Sequence, residues 1–143
     1  MDMKIRLATV TDAKQLLILN DEFNGKGETT LEKIRDSLVN NQLEVVIVAD
    51  EKDVLAGFIC VQIKNSFCYT QYMMEVTEVY VKQEYRNRGL ASAMIGFAED
   101  YVNKKYPLQK FELLTGKNNF TAQSVYHKLG YKEDGEIHLS KQL

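Results

Sequence analysis

The segment "YRNRGLASAM", residues 85–94, sets Arg86, Arg88 and Gly89 just ahead of a run that favours helix. The apolar stretch before it ends near Val81, and helical spacing resumes at Leu90. A strand, a turn and a helix in that order leave several amide N–H groups without partners at the helix N-terminus. That end also carries the positive pole of the helix dipole, so it attracts an anion without help from any side chain. Gly89 lets the backbone come close to a ligand, and Ala91 is nearly as small. The dipole disfavours two arginines here unless something negative offsets them. A diphosphate would offset them; the same residues would otherwise make a solvated basic turn. The turn lacks the Gly-Lys-Ser/Thr ending of a Walker loop and the three glycines of a dinucleotide fingerprint. "NGKGE" at 24–28 contains Gly-x-Gly, but it follows a helix rather than a strand and reads as a flexible loop.

The rest of the chain must position that turn. Its 143 residues are the size of one domain. With 45% hydrophobic and 27% charged residues it can bury a core and stay soluble. A net charge of −2 argues against a nucleic-acid partner, which calls for a basic face. No signal-peptide core and no run of about 18 apolar residues is present, so a cytoplasmic protein without membrane contact is the expectation. Cys60 and Cys68 do not make a disulfide framework, and both are expected as buried thiols.

"MKIRLAT" alternates like a short strand, and helical spacing follows through Val10, Ala13, Leu16 or Leu17, and Asn20. "NDEFNGKGE" is expected as a loop. Thr29 with Glu32 fits a capping box for a second helix bearing Leu31, Ile34 and Leu38. "LEVVIVA" and "VLAGFICVQI" form a hairpin across "DEKD", and "YMMEVTEVYV" is a further strand. A long amphipathic helix carries Leu90, Met94, Phe97 or Ala98, and Tyr101, with Pro107 beyond its end. "LQKFELLT" reads as a strand, "TAQSVYHKLG" as a short helix, and "YKEDGEIHLSK" as a terminal strand or hairpin. This order predicts an α+β, or mixed α/β, domain. The strands either side of the long helix should be parallel, with a right-handed crossover.

"VTEVYVKQEYRNRGLASAMIGFAE" resembles the acetyl-CoA-binding motif of the GNAT superfamily of N-acetyltransferases, with Arg86, Gly89 and Ala91 at its Q/R-x-x-G-x-G/A positions. A second segment, "NNFTAQSVYHKLGY", is similar to the family's later motif through Asn119, Ala122, Tyr126, Gly130 and Tyr131. Gln83 stands where proline is common and Asn87 where glycine is common; neither removes a backbone N–H. The element order agrees as well, so the resemblance spans nearly all of residues 1–143. It implies a single GNAT-like domain with a mostly antiparallel mixed sheet, splayed between its fourth and fifth strands and flanked by about four helices.

The resemblance also implies sites. The pantetheine arm of acetyl-CoA would lie along the fourth strand and bond to the backbone across Val79, Tyr80 and Val81. The amides of Arg86, Asn87, Arg88, Gly89, Leu90 and Ala91, with Ser92 at the edge, would take the pyrophosphate. A bulge in the fourth strand would aim its backbone at the ligand. An amine attacks the thioester directly and a tetrahedral intermediate forms, which calls for a base, an oxyanion donor and an acid for the sulfur. Tyr126 is the candidate acid, Glu78 the candidate base and the Val79 N–H the oxyanion donor. Glu75 competes with Glu78; a regular strand puts the two on opposite faces, and a bulge would change that. Asn119 either contacts the cofactor arm or caps the last helix. His127 should point about 100° from Tyr126, so it and His138 are expected at the surface or in packing. No His/Cys cluster suggests a metal.

The resemblance assigns acceptor recognition to the first two helices and their loop, a region that holds Asp21, Glu22, Glu28, Glu32 and Asp36 beside Lys26, Lys33 and Arg35. Glu133, Asp134 and Glu136 lie near the C-terminus. Acidic groups near the slot would favour the primary amine of a small cationic molecule. A protein or peptide amine is the alternative, and a non-catalytic acyl-CoA-binding sensor the second. The fold is also compatible with a homodimer.

Overall fold

The computed structural model describes residues 2–143. Five strands form one sheet in the order β1 (Met3–Leu7), β2 (Glu44–Glu51), β3 (Val54–Lys64), β4 (Tyr72–Val81), β5 (Leu108–Leu113). Neighbours run antiparallel except β4 and β5, which are parallel. Helix α3 (Leu90–Lys105) makes the crossover between those two, as a parallel pair requires. Helices α1 (Ala13–Asn24) and α2 (Leu31–Asn40) precede β2, and α4 (Phe120–Lys128) follows β5.

Alternation along the strands gives the sheet two apolar faces. Ile47, Ile59, Val61, Met74 and Val76 pack with Met94, Ile95, Ala98 and Val102 of α3. Val48, Leu55 and Phe58 pack with Leu16 and Leu19 of α1, with Ile34 and Leu38 of α2 at the margin. β1 is tied in by charge as well. Arg6 meets both carboxylate oxygens of Asp12 at 2.8 Å and Asp50 at 3.1 Å. Asp12 also accepts the Thr9 N–H at 2.7 Å, which fixes the entry to α1.

Four expectations are corrected. The segment 20–28 was expected as a loop, yet α1 runs on to Asn24. Packing carries the extra turn: Phe23 stacks on Tyr80 with ring centres 5.2 Å apart, and Glu22 accepts the Tyr80 hydroxyl at 2.8 Å. The cap of α2 is Thr30, not Thr29; its Oγ1 accepts the Lys33 N–H at 3.1 Å, and no glutamate occupies the third position after it. Cys68 is exposed in the β3–β4 loop between exposed Phe67 and Tyr69, because nothing covers that turn; Cys60 is partly buried. The segment from Tyr131 to Leu143 forms no strand. Tyr131 is anchored by its hydroxyl to Glu99 at 2.7 Å, but Ile137 and Leu139 remain 81% exposed, so no apolar face holds the chain in a strand. No helix among the described residues is long and apolar enough to cross a membrane.

Candidate active site

The site is built around a fault in β4. Cys60 lies opposite Glu78, but Val61 lies opposite Val76, so Thr77 is an extra residue in the ladder. Such a bulge shifts the side-chain alternation by one. Its hydroxyl donates to Cys60 O at 3.2 Å, which seats it. Beyond the bulge Glu78 and Tyr80 face α1, while Val79 and Val81 face α3. Before it Met74 and Val76 face α3, so Glu75 shares the α1 face with Glu78. The regular-strand expectation that the two glutamates oppose each other is therefore reversed.

The same register decides where the backbone points. Lys82 N–H donates to Ala56 O at 2.8 Å, and Tyr80 and Glu78 continue in step opposite Phe58 and Cys60. Antiparallel pairs alternate, so residues 78, 80 and 82 bond to β3 while 79 and 81 turn their N–H and C=O to the other edge. On that edge β5 reaches only as far as the Val76–Leu113 pair. The backbone of Val79 and Val81 thus faces a gap where β4 and β5 have parted. The Arg86 side chain enters this gap and donates Nε–H to Val81 O at 2.8 Å. Val79, Tyr80, Val81, Arg86 and Asn119 border one cavity with Glu22 and Phe23 of α1.

The turn after β4 has two left-handed residues, Asn87 at φ 64° and Gly89 at φ 73°. Glycine adopts this conformation without strain, and asparagine is among the few others that tolerate it. Gly89 is the N-cap of α3. Ala93 N–H is the first to close onto the turn, at Gly89 O. The amides of Leu90, Ala91 and Ser92 precede it and have no carbonyl within the helix to reach. The Leu90 side chain is buried in the α3 core and anchors the turn from beneath. Arg88 lies over the Tyr85 ring at 5.2 Å, and its Nη2 donates to Glu84 O at 3.3 Å. The helix entrance is therefore open backbone flanked by two arginines, each already held by the protein.

Glu78 lies on the wall of a second cavity, between α1, α2 and the sheet, with Asn24 Nδ2 at 3.4 Å from its Oε1. Glu75 is instead paired with Lys64 at 3.3 Å, and Lys64 also reaches Glu112 at 2.6 Å. The two cavities meet at consecutive residues, Glu78 lining one and Val79 the other. Tyr126 is half-buried on α4 against the α3-side core, and burial raises its hydroxyl pKa above the usual tyrosine value. It borders neither cavity. Tyr80 is also raised, first by burial and then by its hydrogen bond to Glu22. Asn119 caps α4 by accepting the Ala122 N–H at 3.1 Å, and it also lines the gap. His127 and His138 are exposed. Sequence reasoning missed Glu44, Asn20 and Asn24, which line the second cavity.

A bulged strand, a parted parallel pair and a bare helix entrance stand together at the end of β4. The chain belongs to the acetyltransferase (GNAT) family, whose model matches residues 14–131. It is 33% identical over 60 residues to spermidine N(1)-acetyltransferase of Escherichia coli (strain K12). That match spans 42% of this chain and 32% of the relative, about a third of its length. The fold is similar to AAC(6')-Iy in complex with a CoA bisubstrate analogue, with TM-score 0.86, 19% identity, and 100% and 99% of the two chains covered. It is also similar to aminoglycoside acetyltransferase meta-AAC0020 from an uncultured soil metagenomic sample, with TM-score 0.85, 16% identity, and 99% and 96% covered.

Proposed function

We propose that this protein moves the acetyl group of acetyl-CoA onto the primary amine of a small cationic molecule by direct attack. The observation that carries the reading is the register of β4, which turns the Val79 backbone into the gap beside the bare entrance of α3. A pantetheine arm can add to that edge as a strand would. The Arg86 N–H, expected at the pyrophosphate, instead donates to Gln83 O at 3.3 Å; the amides from Asn87 to Ser92 would donate to phosphate oxygens, and Arg86 and Arg88 supply charge. Val81 O becomes available to the arm when Arg86 swings from it toward a phosphate.

Glu78 then stands on the acceptor side of the strand, one residue from the Val79 N–H. It takes the proton from the incoming ammonium, directly or through a water. The Val79 N–H faces the oxygen on which charge develops. Tyr126, kept protonated by burial, gives its proton to the departing thiolate. Both kinds of relative support an amine acceptor, since spermidine and aminoglycosides are small polycations.

The test is thiol release from acetyl-CoA over a panel of polyamines, aminoglycosides and peptides, with wild type and Tyr126→Phe compared. Turnover of small cationic amines, lowered about 10²-fold in Tyr126→Phe, is the expected result. Turnover confined to peptides would move the acceptor to a protein amine. A rise in melting temperature with acetyl-CoA and no turnover of any amine would make the domain a sensor.

A further inference from the structure

We infer that Glu44 is a specificity residue that holds a second ammonium group of the acceptor, so that the preferred substrate is a slender dication with a cationic group at each end. This rests on the acetyl-transfer reading above and extends it to the far end of the substrate.

The cavity that Glu78 lines measures about 230 Å³ and has an apolar floor of Val46, Phe58 and Cys60, with Leu16 and Leu38 on its walls. Such a floor suits methylenes. It has a carboxylate at each end. Glu44 lies opposite Gln62 and Glu78 opposite Cys60, two residues apart along β3. Two strand spacings across and two residues along put their Cα atoms about 12 Å apart on one face of the sheet. Both charges reach the same floor: the Cys60 thiol between them is pushed far up, first by burial and then by Glu44 and Glu78.

Glu44 is held in place without being neutralised. Ser37 Oγ donates to Oε1 at 2.7 Å and Gln62 Nε2 donates to Oε2 at 3.0 Å. Both donors are uncharged. Glu75 and Glu112, on the same sheet, share the ammonium of Lys64 instead. Lys33 borders the cavity from α2, but it is exposed and its charge is screened by solvent. A half-buried carboxylate with neutral partners, facing a second carboxylate, is relieved by a cation. An acceptor whose reacting amine sits at Glu78 brings that cation only if it carries a second ammonium near the other end.

The test is steady-state kinetics with acetyl-CoA and α,ω-diaminoalkanes from diaminopropane to diaminodecane, each beside the amino alcohol of equal length. In wild type the best diamine should exceed its amino alcohol in kcat/KM by about 10- to 100-fold, the span of one charge-assisted hydrogen bond. In Glu44→Gln the preference should narrow to about two-fold, with the change in KM rather than kcat. Equal use of diamines and amino alcohols by wild type, or an undiminished preference in Glu44→Gln, overturns the inference and leaves acetyl transfer standing. Ser37→Ala keeps the charge but loosens its aim, so it should lose part of the preference even if Glu44→Gln folds poorly; no loss counts against the inference. If no amine is acetylated, calorimetry with the same diamines separates the two ideas. Diamine uptake that depends on Glu44 keeps the anchor and removes the transferase; no uptake removes both.

Discussion

The two halves of β4 have similar composition and opposite fates. Met73–Val76 is paired on both edges, with β3 on one side and β5 on the other. Glu78–Val81 is paired on one edge only. In the first half every backbone group serves the sheet, and Met74 and Val76 complete the core. In the second half the same kind of side chain still packs, Val79 and Val81 included, while alternate backbone groups have no strand beside them. One inserted residue, Thr77, separates the two. On the proposed function, this strand's chemistry resides in its main chain and register, and its side chains mostly hold that register in place.

The sharpest way to break this contrast is to exchange a carboxylate from each half. Glu78→Gln removes the only carboxylate of the unpaired half and should lower turnover by about 10²- to 10⁴-fold while altering the pH–rate profile. Glu75→Gln removes a partner of Lys64 in the paired half and should leave turnover near wild type. Because the bulge puts both on one face, position along the strand is the variable being tested. If Glu75→Gln proved the more damaging, Lys64 and Glu75 would belong to the site and the division drawn here would fail.

A second, smaller effect separates two glycines. Gly57 in β3 sits against the paired edge of β4, where a Cβ would meet Tyr80 O at 2.4 Å. Gly89 has nothing within 4 Å of a would-be Cβ, but its φ of 73° is strained for any side chain. Gly89→Val should cost about 1–2 kcal/mol in stability through backbone strain. It should also weaken coenzyme A binding by about tenfold, because the β-branched side chain stands in the approach to the α3 amides. Isothermal titration with coenzyme A reads this directly. Unaltered affinity would mean that the phosphates lie elsewhere.

Much of this arrangement was legible before any fold was known, and what escaped did so for physical reasons. The strand, turn and helix around Arg86 and Gly89 announce themselves locally, because periodicity and a glycine signal report on neighbours in sequence. Tyr126 and Asn119 could be picked out only through the family resemblance. Glu44 could not be picked out at all. It opens a strand whose next residues, Val45 to Ala49, are all apolar, and only two successive registers, Glu44 to Gln62 and Cys60 to Glu78, bring it round to the same cavity. Asn24 reads as a loop residue, and Asn20 as the last helical position, because α1's last turn has little intrinsic helical preference; the stacking of Phe23 on Tyr80 supplies what the local sequence lacks. The terminal strand failed in the other direction. Ile137 and Leu139 alternate as a strand should, yet alternation needs a surface to face.

The least effect is expected where the paired half is knitted by charge, and its sign follows from titration. Lys64 of β3 reaches Glu75 of β4 and Glu112 of β5, so one ammonium spans three strands just before the gap opens. Burial pushes the Glu112 carboxyl up, but the hydrogen bonds and charges of Lys64 and Lys110 outweigh it and bring it below the usual glutamate value of 4.5. A carboxyl lowered by folding contributes stability above its unfolded value and loses that contribution as pH falls through the folded one. The pair is partly exposed, so the contribution should be about 0.2–1 kcal/mol. Glu112→Gln should therefore melt slightly below wild type at neutral pH. The difference should begin to shrink below about pH 5 and vanish once wild-type Glu112 is itself protonated. The same substitution should leave coenzyme A affinity untouched, since the strap closes the half of β4 to which the proposed function assigns no ligand. A loss of affinity without a loss of stability would show that the strap sets the width of the gap, and the two halves would then act as one.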